Sequence, residues 1–224
     1  MNAICRYALV AVALSGGAYA AHADDAWKPV ASDHGVEIYR RTVPGSDVVA
    51  LMGVGIVDAP VWKVASILLD TKRAPEWADS LKESRVLRRI GPTAYVEYNH
   101  IGLPLIIRDR DFVSEVQIDV DAAARTFALV YRPSGDGVPA PTHNVRGEIL
   151  AGRFEAVSVE RGARTRLTAE VQADPKGLLP TWIVNMFQRN WPVTTFERLR
   201  LQAAKPDIAM PADFRDVLSQ TLGF

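Results

Sequence analysis

The stretch LIIRDRDFVSEV, Leu105 to Val116, alternates two arginines with two aspartates between apolar runs. Guanidinium and carboxylate groups so placed could hold the polar end of a ligand, pair with one another, or form a carboxylate pair for acid–base work. Successive side chains of an extended chain point to opposite faces, so Phe112, Ser114, Val116 and Ile118 share one face and Val113, Glu115 and Gln117 the other. The first set is the more apolar and is expected to face a core. The same register turns Arg110 and Arg108 inward and Asp109 and Asp111 outward. An arginine aimed into an apolar interior is costly unless its charge is paired and its donors are used. A strand that begins only at Arg110, with both arginines at a solvated edge, is the other reading of the pattern. Outward-facing aspartates fit solvated carboxylates or surface ion pairs better than a catalytic pair.

Little else in the chain points to catalysis. His34, His100 and His143 fall in no metal-ligand spacing, and the sequence holds no G-x-S-x-G, HExxH or Gly-rich phosphate loop. No cofactor is implied. Lysine plus arginine equals aspartate plus glutamate, 26 against 26, which leaves no electrostatic footprint for nucleic acid.

The elements that must position these residues follow from periodicity. GVEIYRRTV (Gly35 to Val43) and VVALMGVGIV (Val48 to Val57) read as a hairpin around a Pro44-Gly45-Ser46-Asp47 turn. A first helix follows, with Asp58 as N-cap, Pro60 near its first position, and Val61, Val64, Ala65, Leu68 and Leu69 at helical spacing. RAPEWADSL reads as irregular or a single turn, with Trp77 as a core anchor. Strands are expected over 84–90, 94–101, 110–118, 125–132, 143–154 and 164–173, separated by turn residues at hairpin lengths. A long helix then carries Leu179, Trp182, Ile183, Met186, Phe187 and Val193 on one stripe, with Pro192 kinking or breaking it near Trp191. Residues after Lys205 read as a tail with a short helix around 213–222. The expected fold is α+β: a curved antiparallel sheet wrapped around a long C-terminal helix, with space between them for side chains or a ligand.

The chain of 224 residues is 48% hydrophobic and 23% charged, enough for one sizeable core. Residues 1–23 have a basic n-region at Arg6, an apolar run from Tyr7 to Leu14 and small residues before a break, the pattern of a cleaved secretory signal. Cleavage is expected after Ala23, with Ala18-Tyr19-Ala20 as the alternative site. Its removal takes one charge, Arg6, leaving 25 basic against 26 acidic residues, and takes Cys5, the only cysteine. A periplasmic or secreted protein without disulfides is expected, stabilised by packing alone and monomeric.

Three motifs in order carry a resemblance: ILLDTKRAPEWADSLKESRVL (Ile67 to Leu87), RDFV (Arg110 to Val113) and DPKGLLPTWIVN (Asp174 to Asn185). Their spacing over residues 27–204 resembles the START family, the lipid-transfer domains related to the steroidogenic acute regulatory protein. The resemblance implies a helix-grip fold, shared with Bet v 1-like domains, and a lipid-binding domain over 24–204 followed by the tail 205–224. It implies an internal tunnel for one lipid (phospholipid, fatty acid, sterol or hopanoid), transient contact with membranes, and a tunnel arginine that meets the ligand's polar end. Arg110 matches that arginine through Phe112 and Val113, with Arg108 as the alternative on the same face. Glu97 on the neighbouring strand is the candidate acidic partner, although alternation leaves its face open. Trp182, Met186 and Phe187 would line a movable cover, with the loop Asp119 to Ala124 against it. Related folds also include cyclases and hydrolases acting on apolar ligands, and a module whose interior is filled by its own side chains is the third possibility.

Overall fold

A computed structural model describes residues 26–104, 107–134, 143–179 and 181–215, with the backbone alone for 181–189. The leader, most of the expected short C-terminal helix, and the side chains of Trp182, Met186 and Phe187 lie outside the described residues.

The strands are β1 (Lys28–Asp33), β2 (Val36–Arg41), β3 (Ala50–Val57), β4 (Leu81–Gly91), β5 (Ala94–Ile101), β6 (Arg110–Asp121), β7 (Thr126–Pro133), β8 (Val145–Arg146), β9 (Glu148–Val159) and β10 (Arg164–Asp174); the helices are α1 (Val61–Leu69) and α2 (Thr181–Ala204). They form one sheet in the order β1-β2-β3-β10-β9-β7-β6-β5-β4, antiparallel throughout. The two-residue β8 lies parallel to the start of β6. The large antiparallel sheet and its C-terminal helix make the helix-grip α+β architecture. The expected tail is part of the packed unit: Ile208, Met210 and Phe214 join the core, and Ser66 Oγ meets Met210 Sδ at 3.6 Å.

Two expectations are corrected here. Helix α1 starts after Pro60, whose φ of −65° and ψ of 154° make it the extended N-cap; Asp58 lies two residues earlier and pairs with Arg164 instead. The supposed loop at Asp119 is still strand, because β6 and β7 stay paired as far as Asp121 and Thr126.

Alternation sorts the inner face. Val36, Leu129, Phe127, Ala156, Leu167 and Ala169 are fully buried there, against Val64 and Leu68 of α1 and Phe196 and Leu199 of α2. Glycine makes the helix contact possible: a Cβ on Gly55 would lie 2.9 Å from Phe196 Cε1, and one on Gly53 3.1 Å from Pro192 Cβ. Towards the opposite end, inner positions grade into partial exposure, at Tyr131 on β7, Phe154 on β9, Val171 on β10, and Asn99 and Ile101 on β5. The interior is therefore filled at the α1 end and less completely buried where β5, β7 and β10 terminate.

Candidate functional site

Strand register decides which side chains face that interior. Glu97 stands opposite Ser114, Tyr95 opposite Val116, Asn99 opposite Phe112 and Ile101 opposite Arg110. Val116 belongs to the main core, so Tyr95, Glu97, Asn99, Arg110, Phe112 and Ser114 all lie on the inner face. Alternation alone could not place Glu97, because β5 is buried on both faces: Val96 and Tyr98 form a second small cluster with Val113 and Leu87 outside.

The inner polar groups are deeply buried and incompletely bonded. Glu97 is 5% exposed, Ser114 1% and Tyr95 0%. Ser84 Oγ donates to Glu97 Oε1 at 3.0 Å, yet Glu97 Oε2, Ser114 Oγ, Tyr95 Oη and Trp77 Nε1 have no hydrogen-bond partner. Burial pushes the Glu97 carboxyl up to about 7, against the opposing hydrogen bonds of Ser84 and Asn99. It also raises Tyr131 and Tyr95, and the charge of Glu97 adds to both shifts. Trp77 and Tyr131 meet Phe154 edge-on at 6.3 and 6.2 Å, which extends the polar group into an aromatic wall. Each buried, unmade hydrogen bond costs about 1–3 kcal/mol, so four of them in one interior are a cost that the fold carries there. Together they offer hydrogen-bond donors and acceptors beside apolar surface.

The two arginines diverge. Arg110 is 3% exposed and inward, but its guanidinium turns to backbone carbonyls: Nε to Pro175 O at 3.0 Å, Nη2 to Lys176 O at 3.1 Å, and Nη1 to Arg108 O. The expected Glu97–Arg110 ion pair is not formed among the described residues, because the carbonyls occupy the arginine and Ser84 holds the carboxylate. Arg108 precedes the strand; its side chain donates to His143 O at 3.2 Å and Asn144 O at 3.0 Å on the exterior. The inward reading thus fails for Arg108, since the regular alternation starts only at Arg110.

The aspartates are not solvated. Asp111 points outward but is 0% exposed, covered by β8, and its Oδ2 accepts from Arg146 Nη2 at 2.8 Å. Asp109 Oδ2 accepts from Lys82 Nζ and faces His100 Nε2, both at 2.8 Å, while Oδ1 accepts from the Leu103 N–H at 3.0 Å. Burial works against its charge, but these contacts outweigh it and hold the carboxyl down at about 2. A separate groove of about 330 Å³ crosses the outer face between Trp27 and Arg41 on one side and Arg132 and Arg153 on the other. It lies on the opposite face of the sheet from Glu97.

Tyr95, Ser114, Ser84 and Trp77 were not singled out as site residues from sequence. Ser114 carried the one available signal, a hydroxyl within the inward apolar set.

The fold and its polar interior define a helix-grip ligand-binding domain, and comparisons agree. The START domain family profile matches residues 18–201. The chain belongs to the START domain family, a family of lipid-binding and lipid-transfer domains. It is 29% identical over 205 residues to an uncharacterized protein of Pseudomonas aeruginosa, covering 92% of this chain and 100% of that protein. It is 26% identical over 190 residues to the mitochondrial steroidogenic acute regulatory protein of Gallus gallus, covering 81% of this chain and 66% of that one. Among solved structures, human StAR-related lipid transfer protein 5 superimposes with a TM-score of 0.73 at 19% identity, over 79% of this chain and 86% of that one. A STAR-related lipid transfer protein from Xanthomonas axonopodis gives 0.68 at 22% identity, over 80% and 99%.

Proposed function

We propose that this chain binds one lipid or similar apolar molecule between sheet and α2, and carries or presents it between membranes as a non-catalytic, exported monomer. The observation that carries the reading is the set of four buried, unpartnered polar atoms in the interior, those of Glu97, Ser114 and Tyr95 on the inner face and that of Trp77 opposite Phe154, beside partly buried aromatic surface. A ligand whose polar end reached Glu97, Ser114 and Tyr95 would satisfy them while its apolar body covered Tyr131, Phe154 and Val171.

The energetics suit a carrier. Each methylene gains about 0.8 kcal/mol on leaving water, whether for a bilayer or for a protein interior. Exchange between the two is then near balance, while free passage through water is suppressed. The leader composition supports export, and membrane contact follows from the exchange itself.

Native mass spectrometry of protein purified from its own cell envelope tests both parts. The reading expects a chain lacking residues 1–23 with one lipid bound, released by organic solvent. A retained leader would contradict export. A ligand-free chain that takes up no lipid from vesicles would contradict the binding reading.

A further inference from the structure

The groove on the outer face of the sheet has a shape that follows from the strands. The pairing of β9 with β10 runs from Ala151 opposite Gln172 straight to Ile149 opposite Ala173, so Leu150 stands unopposed in a bulge that bends β9. The small side chains of Ala50 and Ala151, with Val130 beside them, form an apolar floor. Trp27, just before β1, and Arg41 at the end of β2 make one wall; Arg132 and Pro133 at the end of β7 make the other. Four strand spacings separate the walls, about 19 Å at the backbone. The volume of about 330 Å³ lies at the lower end of the range of about 300–1,000 Å³ for small-molecule pockets.

Its charges are unevenly matched. Arg153 is neutralised by Glu155, whose Oε2 accepts from Arg153 Nε at 3.0 Å and from Nη2 as well. Arg41 and Arg132 make no ion pair among the described residues. The Arg41 guanidinium lies over the Trp27 ring, 4.5 Å from its centroid, and its Nε is buried without a hydrogen-bond partner. The indole thus covers one face of the guanidinium and fixes its plane, while the donors along its edge stay unmatched. Glu170, opposite Arg153 on β10, is half-buried; burial raises its carboxyl above the ordinary range against the pull of Arg41 and Arg153. Three arginines against Glu155 and Glu170 leave one positive charge in excess. Glu115 stands opposite Arg132 on β6 but lies outside the groove and forms no ion pair with it among the described residues.

We propose that this groove is a second binding site, for a small organic monoanion: a carboxylate held by the edge of the Arg41 guanidinium, with a flat apolar body along Ala50, Ala151 and Val130. A guanidinium edge matches a carboxylate with two parallel hydrogen bonds, and the ring beneath it holds that edge ready. The single excess charge selects a monoanion, because half-buried Glu170 repels any further negative charge. Arg132 on the far wall steers the anion in from solvent. At this volume the occupant is an aryl or short-chain acid, not a membrane lipid. The site is separate from the interior and stands independently of the lipid reading.

The test titrates the full chain with 2-naphthoate and with its neutral counterpart 2-naphthamide, followed by backbone amide shifts in NMR. Saturable shifts should appear at residues 130–132, 151–153 and 170–172 with a Kd of about 1 mM, the scale for an acid of that size. The amide should bind at least about tenfold more weakly. Arg41→Gln should weaken naphthoate binding about tenfold, and Arg41→Lys should restore it only in part, since lysine keeps the charge but not the planar fork. Glu170→Gln should tighten it about threefold by removing a repulsive charge. A merely structural role for the Arg41–Trp27 stack would produce neither that gain nor the preference for acid over amide. Arg166→Gln, an exposed arginine on the same face beyond the groove, should bind like wild type. Equal Kd for acid and amide, absence of saturation, or shifts confined to the inner-face Asn99, Ser114 and Phe154 would overturn the proposal. Weaker binding in Glu170→Gln would overturn it in favour of a zwitterion whose ammonium needs that carboxylate.

Discussion

At the residue scale, Glu97 carries a testable cost. Its carboxyl sits at about 7 in the folded chain against an ordinary value of 4.5. Below pH 4.5 it is protonated in both folded and unfolded chains and costs nothing. Between 4.5 and 7 the unfolded chain gives up its proton first, so stability falls as pH rises, and above 7 the loss is complete. At about 1.4 kcal/mol per unit the whole loss is about 3 kcal/mol. Glu97→Gln keeps an acceptor for Ser84 and cannot ionise. Urea unfolding should therefore show the variant about 3 kcal/mol more stable than wild type at pH 8, with little difference at pH 4. Equal slopes of stability with pH in the two proteins would mean that Glu97 is solvated or ion-paired.

At the element scale, the seat of α2 depends on two glycines of β3. Gly55→Ala would put a methyl 2.9 Å from Phe196 Cε1 and 3.0 Å from Gly35 O, and Phe196 is fully buried with no room to retreat. Overpacking of this kind costs about 1–3 kcal/mol, so the urea midpoint should fall with an unchanged slope; a midpoint equal to wild type would show that the helix does not press on β3. Most elements were legible in the sequence because their apolar periodicity is strong: β5 runs over the expected residues, and β6, β7 and β10 start or stop within three. The strand β1 was not, since all six of its residues are exposed on a sheet edge and no alternation marks them. The face of Glu97 was hidden for the opposite reason, burial on both sides of β5. For Asp111, alternation gave the correct face but could not say that β8 covers it. Arg110 was read as inward from its register, but two of its three carbonyl partners lie 65 and 66 residues away in sequence, beyond any local pattern.

At the scale of the whole molecule, α1 and the segment after α2 pack into the core at one end of the sheet, while Arg110 and the carbonyls of Pro175 and Lys176 meet at the other. Phe214 shows how the closed end is made: it packs on Tyr95 at 5.7 Å under Arg89, although the sequence pattern assigned it to a tail. Among the described residues no helix is long and apolar enough to cross a membrane. The proposed reading makes a specific claim about where a ligand lies: between sheet and α2, with its polar end at Glu97, Ser114 and Tyr95. Photo-crosslinking with a diazirine-bearing acyl lipid, loaded from vesicles and mapped by peptide mass spectrometry, tests that claim most directly. The account predicts one adduct per chain, on inner-face residues such as Phe154 or Asn99. Adducts confined to the outer face, around Arg41 and Arg153, or several per chain without saturation, would contradict it.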